Sequence, residues 1–339
     1  MDKISIALCT YNGAHFLNDQ LESFLAQTRL PDELVICDDC SDDETVSIIK
    51  IFSKIAPFPV RFYVNEKNLG STKNFERAIS LCSGDIIFLS DQDDVWKLNK
   101  IELIAGEFFK SKSVGIIFSD AELVDENLVS LKKNVWDFSF PAGERAAVKQ
   151  DGLFKLILRK NIVTGATMAF RKNFRIFFSP IPTNLPNMMH DGWIALIISA
   201  VSDVVFIDKP LIKYRQHSKQ QLGIDSKFNL KEEKIHRQDY YRNSLLNLQK
   251  ELQKLSLLKN TLNDYSHFQQ KVDNLMINSL IDDCYGEVEE IVCHYQTRMN
   301  LSPSRLKRIF QIYKEISTGR YHRFSKGLKS AAKDIYESW

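Results

Sequence analysis

The sequence predicts an α/β fold, in which a mostly parallel sheet carries helices on both faces, followed by a helical carboxyl-terminal region. Three observations predict it. Short apolar runs alternate with amphipathic stretches through the first half of the 339 residues, which is typical of parallel sheets covered by helices. Polar clusters follow several of these runs, where strands would end. Strand signals then stop near residue 230. We therefore expect an α/β domain over residues 1–225 and a helical region over residues 226–339, with the boundary in the loop at 223–226.

The predicted elements of the first domain follow one another in strict alternation at first. Apolar runs predict strands at 4–9, 34–37, 60–64, 84–89, 114–119, 166–170 and 203–207. Apolar residues three or four positions apart predict helices at 14–27, 42–56, 72–82 and 194–200. Residues 126–150 look irregular and rich in charge and aromatic residues. We interpret them as an insertion on the side of the site where a second substrate, the acceptor, would bind. Ligands of such sheets bind at the carboxyl ends of the strands, so the site is expected there.

The carboxyl-terminal region has a different character. Leucines from Leu245 to Leu262 recur every three or four residues, a second helical pattern covers 272–294, and Pro303 opens a third. This spacing would also suit a coiled-coil dimer, but the run is short and favours packing within the chain. Residues 301–339 contain nine Lys or Arg and three acids, interleaved with aromatic residues. Such a segment is either a solvated helix face or a basic amphipathic surface that lies on an anionic membrane.

Composition narrows the class of protein. An apolar share of 44% and a charged share of 26% are those of a soluble globular protein, and a net charge of +2 argues against a nucleic-acid partner. No apolar run approaches the roughly 18 residues that span a bilayer, and residues 1–5 lead into a strand without the features of a signal peptide. We expect a cytoplasmic protein. The six cysteines are thinly spread, so Cys37 and Cys40 are interpreted as reduced thiols rather than a redox pair or half a zinc site, with Cys37 filling the core.

Three carboxylates stand at the end of the fourth predicted strand. Asp91, Asp93 and Asp94 fall within four positions after the buried run at 84–89. Unpaired carboxylates are costly to bury, whereas Mg²⁺ and Mn²⁺ prefer oxygen ligands and complete their shell with phosphate oxygens. The cluster therefore favours a metal-bridged diphosphate over a solvated acidic turn.

The second and third strands are also followed by polar groups. A carboxylate of Asp38 or Asp39 can accept a hydrogen bond from the N3–H of a uracil or thymine ring, and Tyr11 can stack on the base. Ser41 or Asp42 suits the cap of the next helix. The segment 68–74 lacks the Gly-Lys-Ser/Thr ending of a P-loop, but Lys73 or Arg77 remains a candidate to neutralise a diphosphate.

The run His190-Asp191-Gly192-Trp193 precedes an apolar helix. Asp191 is either the cap of that helix, which spacing alone favours, or a general base beside an acceptor hydroxyl. Trp193 offers a stacking face for a sugar. His217 follows the last strand, where it is either an ordinary exposed histidine or a group that returns to the diphosphate and completes a metal shell.

Taken in order, these motifs resemble the inverting glycosyltransferases of family 2, which have the GT-A fold and use nucleotide sugars. Residues 7–13 resemble the opening strand and nucleotide loop, residues 38–43 the "DDGSTD" segment with Cys40 in place of glycine, residues 68–70 the "NxG" turn and residues 91–94 the DxD motif. His190 stands where the family commonly has Glu. The resemblance covers about residues 3–220.

The resemblance implies roles for individual residues. Nucleotide contacts would come from six of them: Thr10, Tyr11, Asn12, Asp39, Lys73 and Asp91. Asp93, with His217 as an extra ligand, would bind Mg²⁺ or Mn²⁺. Asp191 would be the catalytic base, which reverses the preference for a cap, and His190 and Trp193 would contact the acceptor.

The strings at 89–96, 164–170 and 214–217 are most similar to the rhamnosyltransferase-like branch in bacterial O-antigen and capsule assembly. This implies a dTDP or UDP sugar as donor, a lipid-linked oligosaccharide as acceptor, and peripheral contact with the inner face of the membrane. A sugar nucleotidyltransferase ranks second, because its glycine-rich basic loop is absent from residues 10–13. A non-catalytic carbohydrate- or membrane-binding scaffold would lack the base or the DxD motif, and both are present.

Overall fold

The computed structural model describes residues 2–148, 153–183, 185, 188–218, 220, 237–264 and 274–336. The chain divides into two units, residues 1–229 and 230–339. The expected boundary loop at 223–226 lies outside the described residues.

The first unit is built on a nine-stranded sheet. In chain order its strands are β1 (Ile4–Thr10), β2 (Glu33–Asp38), β3 (Val60–Val64), β4 (Ile86–Ser90), β5 (Val95–Trp96), β6 (Val114–Val124), β7 (Ser130–Asn134), β8 (Met168–Arg171) and β9 (Asp203–Arg215). Its helices are α1 (Leu17–Leu25), α2 (Thr45–Ile55), α3 (Ser71–Leu81), α4 (Lys100–Lys110), α5 (Trp136–Ser139), α6 (Ala142–Ala147), α7 (Leu153–Arg159), α8 (Arg175–Phe178) and α9 (His190–Val201).

The sheet is mixed and mostly parallel, which confirms the predicted fold class. Its order is β3-β2-β1-β4-β8-β6-β9-β5, with β7 paired to β6. The first four strands are mutually parallel, and β6 is parallel to β9. Strand β8 runs antiparallel between β4 and β6. Strands β1, β2 and β4 are buried along their whole length, which agrees with their predominantly apolar sequences.

The strand order creates a crevice above β1 and β4. From β1 the chain builds the sheet in one direction through β2 and β3, and then returns to place β4 on the other side of β1. The loops that follow β1 and β4 therefore diverge, which opens a ligand-binding crevice at the carboxyl ends of these strands. The loop at 11–13 and the acidic loop at 91–94 both lie at this edge.

Residues 126–150 contain more regular structure than expected. Within the described part of that range, β7, α5 and α6 replace the predicted irregular insertion. The cause is an aromatic cluster: Trp136 packs edge-on against Phe118 and Phe206, and Phe140 packs against both Trp136 and Phe206. Phe118 and Phe206 lie outside the segment, so periodicity within it gives no sign of these contacts.

The second unit is helical in its described residues, as predicted. Its helices are α10 (Arg237–Asp264), α11 (Asn274–Met299), α12 (Arg305–Ser317), α13 (Arg320–Phe324) and α14 (Leu328–Tyr336). Buried leucines such as Leu255 and Leu258 form the apolar face of α10. In the portion of the chain that the structure describes, every helix is too short or too polar to cross a lipid bilayer.

Buried ion pairs connect the helices of this unit. The Arg298 guanidinium binds Asp334 through two hydrogen bonds of 2.7 and 3.0 Å, and the Tyr321 hydroxyl donates to the same carboxylate at 2.6 Å. Glu315 is bound by the Arg320 guanidinium and lies 2.8 Å from Nδ1 of His294. The carboxylates of Glu315 and Asp334 are therefore buried, paired and turned away from solvent.

Candidate active site

A cavity of about 810 Å³ opens at the carboxyl ends of β1 and β4, within the size range of small-molecule sites. Nine of the eleven predicted site residues line it: Thr10, Tyr11, Asn12, Asp39, Asp91, Asp93, His190, Asp191 and His217. The fold thus brings predicted site residues as far apart in the sequence as Thr10 and His217 into one cavity. The two exceptions are Lys73 and Trp193.

Asp38 and Asp39 have different partners. Asp38 accepts hydrogen bonds from the Thr10 hydroxyl at 2.8 Å and from the amide and hydroxyl of Ser41 at 2.9 and 2.6 Å. It is completely buried and joins β1 to the loop after β2. Helix α2 begins at Thr45, so neither Ser41 nor Asp42 caps it. Asp43 accepts the hydrogen bond from the Thr45 amide instead, at 2.9 Å.

The Asp39 carboxylate fixes the turn that resembles the "NxG" motif. One of its oxygens accepts hydrogen bonds from the Asn65 side chain at 2.6 Å and the Leu69 amide at 2.7 Å. The other accepts from the Gly70 amide at 2.8 Å. Two carboxylate oxygens offer about four acceptor sites, so Asp39 retains room for one further donor, such as a base N–H.

Cys40 occupies a position that normally requires glycine. Its φ angle is +66°, in the left-handed region that is costly for residues with a Cβ. Its thiol lies 2.8 Å from the Asn65 carbonyl oxygen. This geometry explains why the related motif has glycine here, and why the short cysteine side chain is tolerated.

Gln92, which the sequence analysis did not select, joins the two loops of the crevice. Its side chain accepts a hydrogen bond from the Tyr11 amide at 2.8 Å and donates one to the Tyr11 carbonyl at 2.9 Å. A Cβ added to Gly13 would lie 2.1 Å from the Gln92 side-chain oxygen. Glycine at position 13 therefore permits the close approach of these loops. The Tyr11 ring remains 51% exposed, so its face is accessible.

The carboxylates of Asp91, Asp93 and Asp191 converge in the cavity. Burial, together with the negative charges of Asp93 and Asp191, raises the pKa of Asp91 to about 8 from its ordinary value of 3.8. The Asp94 side chain lies beneath the cavity, where burial and the charges of Asp93 and Asp91 raise its pKa well above the ordinary value. One of its oxygens has no hydrogen-bond partner among the described residues. A region with this much negative charge is a favourable place for a cation.

Two buried cations lie under the acidic loop, and both are already engaged. The Lys100 ammonium donates to the Ala166 carbonyl at 2.6 Å and lies 3.5 Å from the centre of the Trp96 ring. Burial lowers its pKa well below the ordinary value, although Asp94 and Asp91 act in the opposite direction. The Arg215 guanidinium binds the carbonyls of Asp93 and Glu126 and the Asp19 carboxylate. Neither residue lines the cavity.

The predicted metal ligands lie side by side. Nε2 of His217 is 2.9 Å from Oδ2 of Asp93, and the His217 ring packs on Phe16 with centroids 4.5 Å apart. Among the described residues, no three His, Cys, Asp or Glu side chains form a complete metal-binding set. Mg²⁺ is commonly held by one or two carboxylates together with substrate phosphates, so this incomplete set fits a cation that binds with a diphosphate.

Asp191 lies in the first turn of α9 rather than at its cap. The helix begins at His190 after Met189. One Asp191 oxygen accepts a hydrogen bond from the Gly165 amide at 3.0 Å and the other from the Gly192 amide at 2.7 Å. Both bonds keep the carboxylate in a fixed orientation at the cavity wall. The expectation of a cap, which spacing favoured, is therefore wrong.

His190 is buried beside this carboxylate. Its ring stacks on Phe75 with centroids 4.0 Å apart, and both ring nitrogens lack a hydrogen-bond partner in the described residues. Burial lowers the pKa of His190, against the opposite effect of Asp191. A buried polar group without partners is unusual in proteins. Because His190 lines the cavity, a ligand is a natural partner for these nitrogens.

Two expectations for site residues require correction. The Lys73 ammonium binds Glu76 at 2.6 Å and the Ile181 carbonyl at 2.8 Å, and Lys73 does not line the cavity. Trp193 is 2% exposed, and its indole N–H donates to the Phe178 carbonyl at 3.1 Å. Its ring belongs to the core and has no free face on which a sugar can stack.

Comparisons with known proteins agree with this geometry. The family model described as "Glycosyl transferase family 2" matches residues 5–173, about half of the chain. The dTDP-rhamnosyl transferase RfbG of Shigella flexneri is 26% identical over 274 residues, which cover 75% of this chain and 88% of that protein. The UDP-Glc:alpha-D-GlcNAc-diphosphoundecaprenol beta-1,3-glucosyltransferase WfgD of Escherichia coli is 29% identical over 37% of this chain and 48% of that protein.

A solved structure has the same fold. The crystal structure of S. aureus TarS 1-349 in complex with UDP aligns with a TM-score of 0.50 and 17% identity, over 93% of this chain and 87% of that chain. At this level of identity the likeness shows the fold. The family match shows that the chain belongs to glycosyl transferase family 2 and is a glycosyltransferase, and its fold is the GT-A fold.

Proposed function

We propose that this enzyme transfers a sugar, with rhamnose favoured, from a dTDP or UDP sugar to a hydroxyl of a lipid-linked oligosaccharide. The reaction would invert the anomeric carbon and contribute to bacterial O-antigen or capsule assembly. The similarity to RfbG over most of both chains supports the rhamnosyl donor. The observation that carries the proposal is the convergence of Asp91, Asp93 and Asp191 on one cavity at the edge of the sheet.

The base and ribose would lie along the loops after β1 and β2. Thr10, Tyr11 and Asn12 line this side of the cavity, and Asp39 has one acceptor site left for the N3–H of uracil or thymine. The exposed Tyr11 ring suits stacking on the base. Asp91, between the nucleotide side and the acidic loop, would contact the ribose.

The diphosphate would lie against the acidic loop together with Mg²⁺ or Mn²⁺. Asp93 and His217 are the residues that would hold the cation, and phosphate oxygens would supply other ligands. When bound, such a cation stabilises the negative charge that develops on the leaving diphosphate. Asp93 is oriented for this role because Arg215 holds its carbonyl at 2.8 Å.

Asp191 would act as the general base. Its carboxylate is fixed by the amides of Gly165 and Gly192, so it is oriented to take the proton from an acceptor hydroxyl as that oxygen attacks the anomeric carbon. The ring nitrogens of the neighbouring His190 lack a partner among the described residues. One of them would donate a hydrogen bond to a sugar hydroxyl or accept one from it. Because the acceptor is proposed to be lipid-linked, the proposal includes peripheral contact with the cytoplasmic face of the inner membrane.

Asp191→Asn tests the proposed base. This change keeps the size and most hydrogen bonds of the side chain but removes its ability to take a proton. Transfer, followed as release of dTDP or UDP from a panel of nucleotide sugars, should fall by about 10²–10⁴-fold, while affinity for the nucleotide should change by less than about twofold. Asp42→Asn, which alters an exposed carboxylate outside the cavity, is the matched control. Full activity of Asp191→Asn would remove Asp191 from the role of base.

The same assay separates the proposed activity from sugar nucleotidyl transfer. A glycosyltransferase releases nucleoside diphosphate and extends an acceptor. A nucleotidyltransferase instead breaks down the nucleotide sugar when pyrophosphate is added. Breakdown that requires pyrophosphate, without extension of any acceptor, would contradict the proposed function.

A further inference from the structure

Helix α12 turns its apolar side outward. Leu306, Phe310 and Tyr313 are 83%, 70% and 71% exposed, and Ile309 between them is 41% exposed. At 100° per residue these four side chains occupy about 100° of the helix circumference. We call them the α12 stripe.

The opposite side of the same helix is the buried one, and it is partly polar. Arg308, Ile312 and Glu315 face the interior of the helical unit. The Arg308 guanidinium donates to the Ser302 and Pro303 carbonyls at 3.0 and 2.9 Å. Ile312 joins a small core with Leu301 and Tyr321. These contacts fix the orientation of α12 within its unit, so the exposure of the stripe follows from them.

The segment that carries the stripe exposes only positive charge. Residues 301–336, all of which the structure describes, contain two acids, Glu315 and Asp334, and both are buried in ion pairs. The exposed charged residues of this segment are therefore cationic. Arg305, Lys307, Lys314, Lys326, Lys329 and Lys333 are all exposed.

The cations also connect α12 with α14. The Arg305 guanidinium lies 5.4 Å from the centre of the Tyr336 ring, which is 75% exposed. This contact places an exposed aromatic ring of α14 beside the first turn of α12. The apolar surface therefore extends beyond one helix, and lysines of both helices border it.

A contiguous apolar surface on a helix marks a site of interaction, and its charged border selects the partner. Two copies of this chain that met through the stripe would bring like-charged borders together, which is unfavourable. A bilayer with anionic lipids offers an apolar interior to the stripe and negative headgroups to the lysines, as for interfacial amphipathic helices.

We infer that the α12 stripe and its cationic border form the surface by which this protein docks on an anionic membrane. The inference deepens the proposed function, because a lipid-linked acceptor would be presented at such a surface. It also differs from the sequence analysis, which described the whole basic end without identifying the apolar face that meets the lipid.

Vesicle sedimentation with the full chain tests the inference. The wild-type protein should bind vesicles that contain phosphatidylglycerol and should not bind vesicles of phosphatidylcholine alone. A stripe variant, Leu306→Ser with Phe310→Ser and Tyr313→Ser, should bind the anionic vesicles with an affinity lower by about tenfold or more. A charge variant, Lys307→Gln with Lys314→Gln, should lose about tenfold or more as well, and added salt should weaken wild-type binding.

The chain offers a matched control for the loss of exposed apolar area. Ile51 and Ile55 on α2 are 64% and 66% exposed, and Ile51→Ser with Ile55→Ser should leave vesicle binding unchanged. Circular dichroism and thermal midpoints should be the same for all variants, because the altered side chains are exposed. Transfer to a water-soluble acceptor should also be unchanged in the stripe variant, so a failure of the proposed function is seen separately from a failure of docking.

Three results would overturn the inference. The first is that the wild type and the stripe variant bind anionic vesicles with the same affinity, or that neither of them binds. The second is equal binding of the wild type to neutral and anionic vesicles. The third is a wild-type dimer in gel filtration that the stripe variant converts to a monomer, which would assign the stripe to self-association.

Discussion

Asp91→Asn should stabilise the protein in the absence of metal and nucleotide. The gain in the free energy of unfolding over the wild type should increase as the pH rises. The partly buried Asp91 carboxyl lines the cavity with Asp93 and Asp191. Burial, together with the negative charges of these two neighbours, raises its pKa to about 8 from 3.8. Its ionised form is thus penalised in the folded protein but not in the unfolded chain. Asparagine has nearly the same shape and stays neutral at every pH, so the substitution removes the penalty.

The sign and size follow from the two pKa values. Because the folded-state pKa is the higher one, Asp91 costs nothing below about pH 3.8, and its cost grows as the pH rises until it levels off above about pH 8. Between these limits the free energy of unfolding falls by about 1.4 kcal/mol per pH unit. From about pH 5.5 to about pH 8 the advantage of Asp91→Asn should therefore grow by about 3 kcal/mol. For a domain of this size that is about 6–12 °C in thermal midpoint.

Thermal unfolding of the wild type and Asp91→Asn across this pH range measures the effect. Asp42→Asn, which alters an exposed carboxylate in the loop before α2, should leave the pH dependence of the midpoint unchanged. Adding Mn²⁺ with UDP or dTDP at about pH 8 should raise the wild-type midpoint and narrow its difference from Asp91→Asn. A difference between wild type and Asp91→Asn that stays constant from about pH 5.5 to 8 would refute the reasoning.

Three further substitutions test other parts of the site. Asp93→Ala should abolish the Mn²⁺-dependent part of UDP or dTDP binding in calorimetry. If Mn²⁺ strengthened nucleotide binding equally in the variant and the wild type, Asp93 would not be a ligand of the cation. Lys100→Met takes a donor from the buried Ala166 carbonyl and should lower stability by about 1–3 kcal/mol; because Ala166 adjoins Gly165, which holds Asp191, kcat should also fall while KM for the donor stays the same. Cys40→Val should lower the free energy of unfolding by about 1–3 kcal/mol, because a β-branched side chain is more strained than cysteine at the φ of +66° found here; Cys40→Gly should leave the stability nearly unchanged, and thermal unfolding measures both.

Most of the sheet was predictable because its central strands are predominantly apolar. Strands β1, β2 and β4 are buried along their whole length, and strands buried on both faces are typically near-continuous apolar runs. The polar residues that follow these strands could then be assigned to one edge by topology alone. This reasoning placed Tyr11, Asp39 and Asp91 in the cavity without knowledge of any distance.

The wrong assignments arose where a partner lies elsewhere in the chain. Lys73 looked available to a diphosphate, but Glu76 on its own helix and the Ile181 carbonyl, 108 residues away, engage it. Trp193 lies on α9, where nearly every residue is buried, so periodicity does not reveal which way its ring points. Gln92 was missed because its role is to bind the Tyr11 backbone, 81 residues earlier.

The charge of the cavity explains why the donor and a cation should bind together. Among the described residues that line it, six are carboxylates, namely Asp39, Asp43, Asp91, Asp93, Glu126 and Asp191, and none is lysine or arginine. The nearby cations Lys100 and Arg215 are held by other groups beneath the cavity. A diphosphate brought alone into such a region would be repelled by the carboxylates. A divalent ion held by Asp93 would reverse the sign of that interaction, so we expect the affinity for the nucleotide to depend on the metal far more than on any single hydrogen bond to the base.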